Sequence, residues 1–504
     1  MLTITVDGTP YEVAEGRMIL EALDDLGLLM TKVDIPHYCW HPHLSIDGSC
    51  RMCQVEVEGA PKLQIACNTP VRDGMIVRTD TDQVRAAQSG VLELLLMNHP
   101  LDCPICDQAG ECKLQDFAAV YGIKNARTIE PRRPAKKGTP LGDTIVFDQE
   151  RCILCRRCVR FCREVPGTGE LGVFQRGDRS TLDTFPGARL DNPYSMNVSD
   201  ICPVGALTTR DFRFKIRVWF LEDRETVCSG CSNGCNLHAS VANNKVYRYL
   251  PRRNDHVNQT WICDEGRMSY RRIREGRLTE PRVTRRPSGC DEAILRAGEL
   301  LRQAIESGNR IVGVGSPFAA NEDLFVLREL LESVNALPGH FSVPLGDSDE
   351  LLIRPEKAPN AAGARLLGFE ETERGLGPAA LAIVLGSTLP AELFEGVERL
   401  ILIDTHTSDL VQRADVVLPA RHLAEKAGTI VNHARRIQRV LPVVEPLFEC
   451  EAEGALVHRI GAAARLDRFS GAYDPFETSK RIAELPAFSG IHLENLDDRG
   501  RELP

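Results

Sequence analysis

The 504-residue chain is short of four things, and each shortage excludes a class. It has no basic excess: 61 Lys and Arg against 71 Asp and Glu leave a net charge of −10. That argues against a nucleic-acid binder, whose phosphate contacts need a basic surface. It has no long apolar run. LELLLM (92–97) and LAIVLG (381–386) fall far below the roughly 20 residues of a spanning helix, so no direct membrane span is expected. Its first residues, MLTITVDGTPYEV, show neither the basic region nor the apolar core of a secretory signal. Beyond residue 264 it has almost no cysteine, only Cys290 and Cys450, although the chain holds 18. Cysteines concentrated before residue 264, without a secretory signal, indicate metal or redox chemistry rather than disulfides.

The length allows three or more domains. Residues 1–80 read as a small, mostly β unit. LTITVDGTPYEV alternates about Asp7-Gly8 as a hairpin does, and RMILEALDDLGL (17–28) has helical spacing ending near Gly27. Residues 81–128 read as helix, metal segment, helix. Residues 129–215 open with a Pro/Gly/basic linker (129–143), whose charge run reads as a solvated loop, and then carry a further cysteine group. Residues 216–272 hold another group after a strand-like IRVWFLE. From 273 to 504 helical and strand patterns alternate, as in a parallel sheet with helices on its faces.

The cysteines fall into four groups. Cys39-x10-Cys50-x2-Cys53-x13-Cys67 offers four thiolates on a β-rich scaffold, which suits a [2Fe–2S] centre. Gly48 gives backbone freedom where the loop must wrap closely. A zinc site would more often pair two short knuckles, and only one is present. The second group, in HPLDCPICDQAGEC (99–112), has only three cysteines: Cys103, Cys106 and Cys112. A lone histidine before a proline is usually a helix-end residue. Here His99, four residues before Cys103, is the candidate fourth ligand. A neutral imidazole in place of a thiolate leaves a cluster one unit less negative and moves its potential upward.

The third group is Cys152-x2-Cys155-x2-Cys158-x3-Cys162, followed by Cys202-Pro203. A second cluster served by Cys162 would need further close cysteines between 163 and 202, and there are none. Cys152, Cys155, Cys158 and Cys202 are therefore assigned to one [4Fe–4S] centre, and Cys162 is read as a buried free thiol. The fourth group, Cys228-x2-Cys231-x3-Cys235-x27-Cys263, again supplies four thiolates. It suits a third [4Fe–4S] centre, with zinc as the alternative.

These four groups in this order resemble the large iron–sulfur subunit of bacterial respiratory complex I, the NADH–quinone oxidoreductases. In the C-terminal part, SPFAANED, ADVVLPA (414–420) and GTIVNHARRIQRV (428–440) look like the molybdopterin-oxidoreductase fold, which that subunit carries without a working metal site. The resemblance covers essentially the whole chain. It implies a multidomain α+β and α/β protein. Its parts would be a β-grasp-type [2Fe–2S] ferredoxin domain, small [4Fe–4S] domains and a molybdopterin-oxidoreductase-like α/β domain. That last domain looks reduced, since family members are usually much longer.

The implied role is electron transfer within an NADH dehydrogenase. Electrons arrive from an NADH-oxidising flavoprotein subunit, cross one [2Fe–2S] and three [4Fe–4S] clusters, and leave toward other iron–sulfur and quinone-site subunits. No side chain is then a catalytic acid or base, and no organic cofactor site is expected. The implied place is the peripheral arm of a membrane complex, on the cytoplasmic face of the plasma membrane. The rival with the same wire is the diaphorase arm of a NAD-linked hydrogenase or formate dehydrogenase, of whose subunits Cys162 is more typical. A catalytic iron hydrogenase would need more cysteines than Cys290 and Cys450 beyond residue 264. A catalytic formate dehydrogenase would need a metal-binding cysteine, and Cys290, at the start of an apparent helix, reads as structural. Gly313-x-Gly315 is only part of a dinucleotide fingerprint, and Asp404 reads as an ordinary strand-end aspartate. A scaffold role is expected of the C-terminal part, which would dock neighbouring subunits.

Overall fold

A computed structural model describes every residue except Ser387. The chain divides into two compact units, Met1–Leu221 and Glu222–Pro504.

The first unit opens with the hairpin of β1 (Leu2–Val6) and β2 (Thr9–Val13). Asp7 and Gly8 both take positive φ, 47° and 85°, as a two-residue hairpin turn requires. Helix α1 (Ile19–Asp25) and strands β3 (Gln54–Val57), β4 (Gln64–Ile65) and β5 (Met75–Arg78) complete a five-stranded sheet ordered β2-β1-β5-β3-β4. Strand β5 runs parallel to β1, and the other pairs are antiparallel. Ile4, Val6, Ile19, Leu20, Leu23, Val55 and Val77 close the core between sheet and helix. The long excursion between α1 and β3 leaves that core free to carry a loop, and this loop bears Cys39, Cys50 and Cys53.

Helix α2 (Asp82–Leu96) starts at Thr81, whose hydroxyl accepts from the Val84 amide at 3.3 Å. Helix α3 (Lys113–Tyr121) begins immediately after Cys112. Two small antiparallel sheets follow. One joins Thr139–Pro140, Ile145–Phe147 and Leu207–Thr209; the other joins Leu171–Phe174 to Thr181–Thr184. Helix α4 (Arg157–Glu164) lies between them in sequence. The basic linker is mostly exposed, as its composition suggests, and is held at a few points. Lys137 Nζ reaches Glu150 at 2.6 Å, Asp148 at 3.2 Å and Asp102 at 3.4 Å, and Arg132 donates to the His99 carbonyl at 2.9 Å.

The stretch IRVWFLE is not a strand. Val218–Phe220 is a single 3-10 turn with Trp219 and Phe220 exposed, and the strand starts only at Glu222. Apolar and β-branched residues form a strand where a partner offers a ladder. That partner, Asn236–Ala242, pairs with Glu222–Val227 and not before.

In the second unit, Glu222–Val227, Asn236–Ala242 and Lys245–Pro251 form an antiparallel sheet. The larger sheet has eight strands. Its order is Arg286–Pro287, Arg282–Val283, Val416–Pro419, Val397–Asp404, Ala379–Leu385, Ile311–Val314, His340–Phe341, Glu370–Glu371. It is parallel from Val416–Pro419 onward, with an antiparallel edge at Arg282–Val283 and Arg286–Pro287. The helices Cys290–Glu306, Asn321–Ser333 and Glu453–Ala463 pack their apolar faces with it into one core. Gly313 belongs to that packing, since a Cβ there would stand 2.3 Å from Leu331 Cδ1. Among the described residues no helix is long and apolar enough to cross a membrane.

Candidate cluster-binding sites

The structure brings each cysteine group together. In the first, Cys39, Cys53 and Cys67 are buried, and Cys50 is partly so. Thiol hydrogen bonds link Cys39 to Cys50 and Cys67, and Cys53 to Cys67. They pull Cys39 and Cys53 below the ordinary thiol range and push Cys50 and Cys67 above it. The loop can fold around the sulfurs because Gly48 and Arg51 take positive φ, 65° and 56°, turning the Ser49 and Cys50 amides toward Cys39 and the Met52 amide toward Cys50.

The second group places Cys106 and Cys112 in the interior and Cys103 at the surface. Burial raises the Cys106 and Cys112 thiols, with the Gln108 amide opposing it at Cys106 and the Gln115 and Leu114 amides at Cys112. His99 is only partly exposed. Burial lowers it to about 4, so it is neutral at pH 7, the form in which imidazole binds metal. Its strongest charged neighbours are Asp102, Arg151, Asp148 and Lys137. It lines a pocket with Cys152, Ile153 and Leu154 of the third group.

In the third group Cys152, Cys155, Cys158 and Cys202 wall one cavity, closed by Leu154, Val173, Leu182, Val204 and Leu207. Burial pushes Cys152 and Cys202 up to about 12, opposed by the Leu154 amide at Cys152 and by the Val204, Leu207 and Ala206 amides at Cys202. Leu154 and Arg156 take positive φ, 54° and 58°, repeating the curl of the first loop. Cys162 is fully buried but is not part of this wall; burial and the Glu170 carboxylate beside it raise its thiol.

The fourth group is buried throughout. The Gly230 amide donates to Cys228 Sγ at 3.4 Å, the Gly266 amide to Cys263 Sγ at 3.3 Å, and Asn233 Nδ2 to Cys235 Sγ at 3.1 Å. A Cβ on Gly266 would sit 3.0 Å from Cys228 Sγ and 3.2 Å from Cys263 Sγ, filling the space between them. Among the described residues no group of three or more His, Cys, Asp or Glu side chains converges as a site for a single ion. Ligands of a cluster surround a core of several atoms, so their sulfurs need not meet at one point. Buried thiols, inward amides and apolar walls are the donor set that iron–sulfur centres take, and the residues fit that group.

Within the first unit the three groups adjoin. Arg160 donates to the Cys39 carbonyl from the helix that carries Cys158. Cys112 Sγ lies 3.9 Å from the Pro203 carbonyl, and a Cβ on Gly205 would stand 2.5 Å from Cys106 Sγ. Tyr38, fully buried against Phe117 with its hydroxyl unpartnered, has Cys112 and Cys50 as its strongest charged neighbours. Neither Tyr38 nor the arginines of α4 stood out in the sequence. The signal for the arginines was the density of basic residues among cysteines in RCILCRRCVRFCRE.

The remaining candidates are accounted for by structure. Cys290 begins its helix with Arg459 and Glu451 as its strongest charged neighbours. Asp404 accepts from the Thr405 and His406 amides at 2.7 and 3.2 Å, holding its own loop.

Known families match along the chain in this order: a 2Fe-2S iron-sulfur cluster binding domain (1–82), the NADH-ubiquinone oxidoreductase-G iron-sulfur binding region (88–127), the ferredoxin-like domain of NADH-quinone oxidoreductase subunit 3 (142–208), the molybdopterin oxidoreductase Fe4S4 domain (223–275) and molybdopterin oxidoreductase (392–460). The chain is thus a multidomain iron–sulfur protein with a molybdopterin-oxidoreductase-type C-terminal part. It is homologous to the large iron–sulfur subunits of NADH-quinone oxidoreductases, the oxidoreductase-G proteins. The oxidoreductase-G protein of Rickettsia conorii is 35% identical over 395 residues, 77% of this chain and 57% of that protein. The 75 kDa subunit of the Reclinomonas americana NADH-ubiquinone oxidoreductase is 40% identical over 339 residues, 67% of this chain and 48% of that one. This chain therefore spans about half the length of those relatives. A solved chain of an NAD+-reducing [NiFe]-hydrogenase matches with a TM-score of 0.37 at 29% identity, over 43% of this chain and 91% of that one.

Proposed function

We propose that this chain carries electrons singly within an NADH:quinone oxidoreductase, from an NADH-oxidising flavoprotein subunit toward the iron–sulfur and quinone-site subunits. The observation that carries this reading is the contiguity of three cysteine groups, most of their thiols buried, inside one compact unit. The ligands are Cys39, Cys50, Cys53 and Cys67 for one [2Fe–2S] centre. Three [4Fe–4S] centres take His99 with Cys103, Cys106 and Cys112; Cys152, Cys155, Cys158 and Cys202; and Cys228, Cys231, Cys235 and Cys263. When bound, such centres supply one-electron redox chemistry at potentials set by ligand type, burial and hydrogen bonds to sulfur. The chain's own residues position the thiols, direct amides at them and exclude water. No side chain transfers a proton. The place of work is the peripheral arm of a membrane complex, on its cytoplasmic face.

The test is native mass spectrometry and EPR on the complex purified anaerobically from membranes and, separately, from the soluble fraction. Recovery from membranes with a flavoprotein and hydrophobic subunits, with one [2Fe–2S] and three [4Fe–4S] signals, is expected. Recovery from the soluble fraction with a nickel–iron or molybdenum subunit would assign the wire to another NAD-linked enzyme, and zinc in the fourth group would shorten it. In the same preparation His99→Cys is expected to keep its iron and titrate at a lower potential, because a thiolate adds negative charge. A titration identical to wild type removes His99 from the ligand set.

A further inference from the structure

Two arginines of α4, Arg160 buried and Arg157 half-buried with its Nε enclosed, have no anion from the polypeptide. Arg160 is 4% exposed; it donates to the Cys39 and Ser45 carbonyls, and its Nε has no partner. Arg157 donates from Nη2 to the Trp40 carbonyl at 2.5 Å and from Nη1 to the Ile201 carbonyl at 3.1 Å, and its Nε is likewise unpartnered. Among the described residues no carboxylate pairs with either one. The strongest charged neighbours of Arg157 are the thiols Cys155 and Cys39, then Arg160, then Cys202. Arg157 also lines the cavity walled by Cys152, Cys155, Cys158 and Cys202.

Such an arrangement is unstable by itself. Desolvating a guanidinium costs several kcal/mol unless an opposite charge answers it, and two like charges side by side add to the cost. Three other buried cations of this chain are each answered by a carboxylate. Arg151 has Asp102 at 2.6 Å, Arg277 has Glu425 at 2.9 Å, and Lys426 has Asp323 at 2.6 Å. What lies beside Arg157 instead is sulfur from two different cysteine groups.

We infer that Arg157, backed by Arg160, is the shared counter-charge of the first and third groups, holding the potentials of both upward. This rests on the proposed clusters in those two groups. A centre ligated by four thiolates is anionic and gains a further negative charge on reduction. A fixed cation bonded to the Trp40 carbonyl beside Cys39 and lining the third cavity therefore favours the reduced state of each. Guanidinium suits the role because it keeps its charge at any physiological pH and its planar fork reaches two carbonyls at once. Arg157 is thus a positioning and tuning residue, without contact to any substrate.

The experiment is an EPR-monitored redox titration of the purified complex carrying Arg157→Gln, Arg157→Lys or Arg160→Gln. At a fixed solution potential, Arg157→Gln is expected to lower the reduced-to-oxidised ratio of the first and third centres about tenfold, while that of the second moves less. Arg157→Lys, which keeps the charge, restores most of both ratios. Arg160→Gln lowers the ratio of the first centre in the same direction and by less. A purely structural arginine would broaden or abolish signals without this charge-dependent rescue. Unchanged ratios in Arg157→Gln, or a shift in one centre alone, overturn the proposal. Should Arg157→Gln fail to assemble, an unchanged first centre in Arg160→Gln overturns it equally. Absence of both signals from the wild-type complex would instead remove the cluster assignment itself.

Discussion

Arg277 and Lys426 of the second unit and Arg157 and Arg160 of the first carry their charge in opposite ways, although Arg151, also in the first unit, pairs with Asp102. In the second unit two interior cations are matched side chain to side chain. Arg277 holds Glu425 by two bonds of 2.9 and 3.0 Å, with its other donors on the Ile273, Thr405 and Ala420 carbonyls. Lys426 lies between Asp323 and Glu453. In the first unit Arg157 and Arg160 have carbonyls and sulfur but no carboxylate. The large parallel sheet of the second unit closes its own electrostatics. On the proposed reading, Arg157 and Arg160 of the first unit answer the negative charge of the clusters rather than a carboxylate. A polar interior left half-satisfied marks the site of a prosthetic group better than any single motif.

The largest expected effect breaks this comparison outright. Anaerobic chelation of iron removes the anions the first unit needs, and ligand binding energy is folding energy in a metal-dependent domain. Hydrogen-exchange mass spectrometry is expected to show protection collapsing across residues 39–67 and 152–202 while Ile311–Val314 and Ala379–Leu385 stay protected. Equal loss in both sets would show that the two units depend on the metal alike.

Next in size is Arg277→Ala, which strands the buried Glu425 carboxylate. A loss of about 3–5 kcal/mol in the unfolding of the second unit is expected. The double variant with Glu425→Leu should recover much of it, and a chemical-denaturation cycle with an additive result would deny that the two residues act as a pair.

A smaller, pH-dependent effect sharpens the contrast. Glu322 is fully buried and burial raises it to about 7, against the Thr429 amide and hydroxyl that hydrogen-bond to its carboxylate. A carboxylate whose folded pKa is raised stabilises at low pH and loses that contribution as pH climbs from the unfolded value through the folded one. Glu322→Gln removes the titration. Between pH 5 and 8 the variant should therefore gain about 2–3 kcal/mol on wild type. Parallel stability curves would show that Glu322 does not titrate there.

Much of this molecule was legible in one dimension. The hairpin about Asp7-Gly8, the helix of residues 290–306 and the strands near 311, 379 and 397 follow from turn chemistry and periodicity, which are local properties. The four cysteine groups follow from spacing. The strand expected at IRVWFLE did not form, because a strand needs a partner and the ladder begins at Glu222. The basic linker stays exposed as expected, and what the sequence did not show is that its Lys137 reaches Asp102, Asp148 and Glu150.

By itself the sequence determined which atoms are available: thiols in four sets, a histidine ahead of the incomplete set, and a cysteine-poor α/β remainder. Only the tertiary structure decided which of these meet. It closed Cys202 onto Cys152, Cys155 and Cys158, left Cys162 facing Glu170 and set Arg157 and Arg160 against two cysteine groups at once. Spacing along a chain reports on ligands that one loop can bring together. The charge that surrounds a site comes from segments more than a hundred residues apart, as Arg160 and Cys39 are, and burial alone decides what that charge is worth.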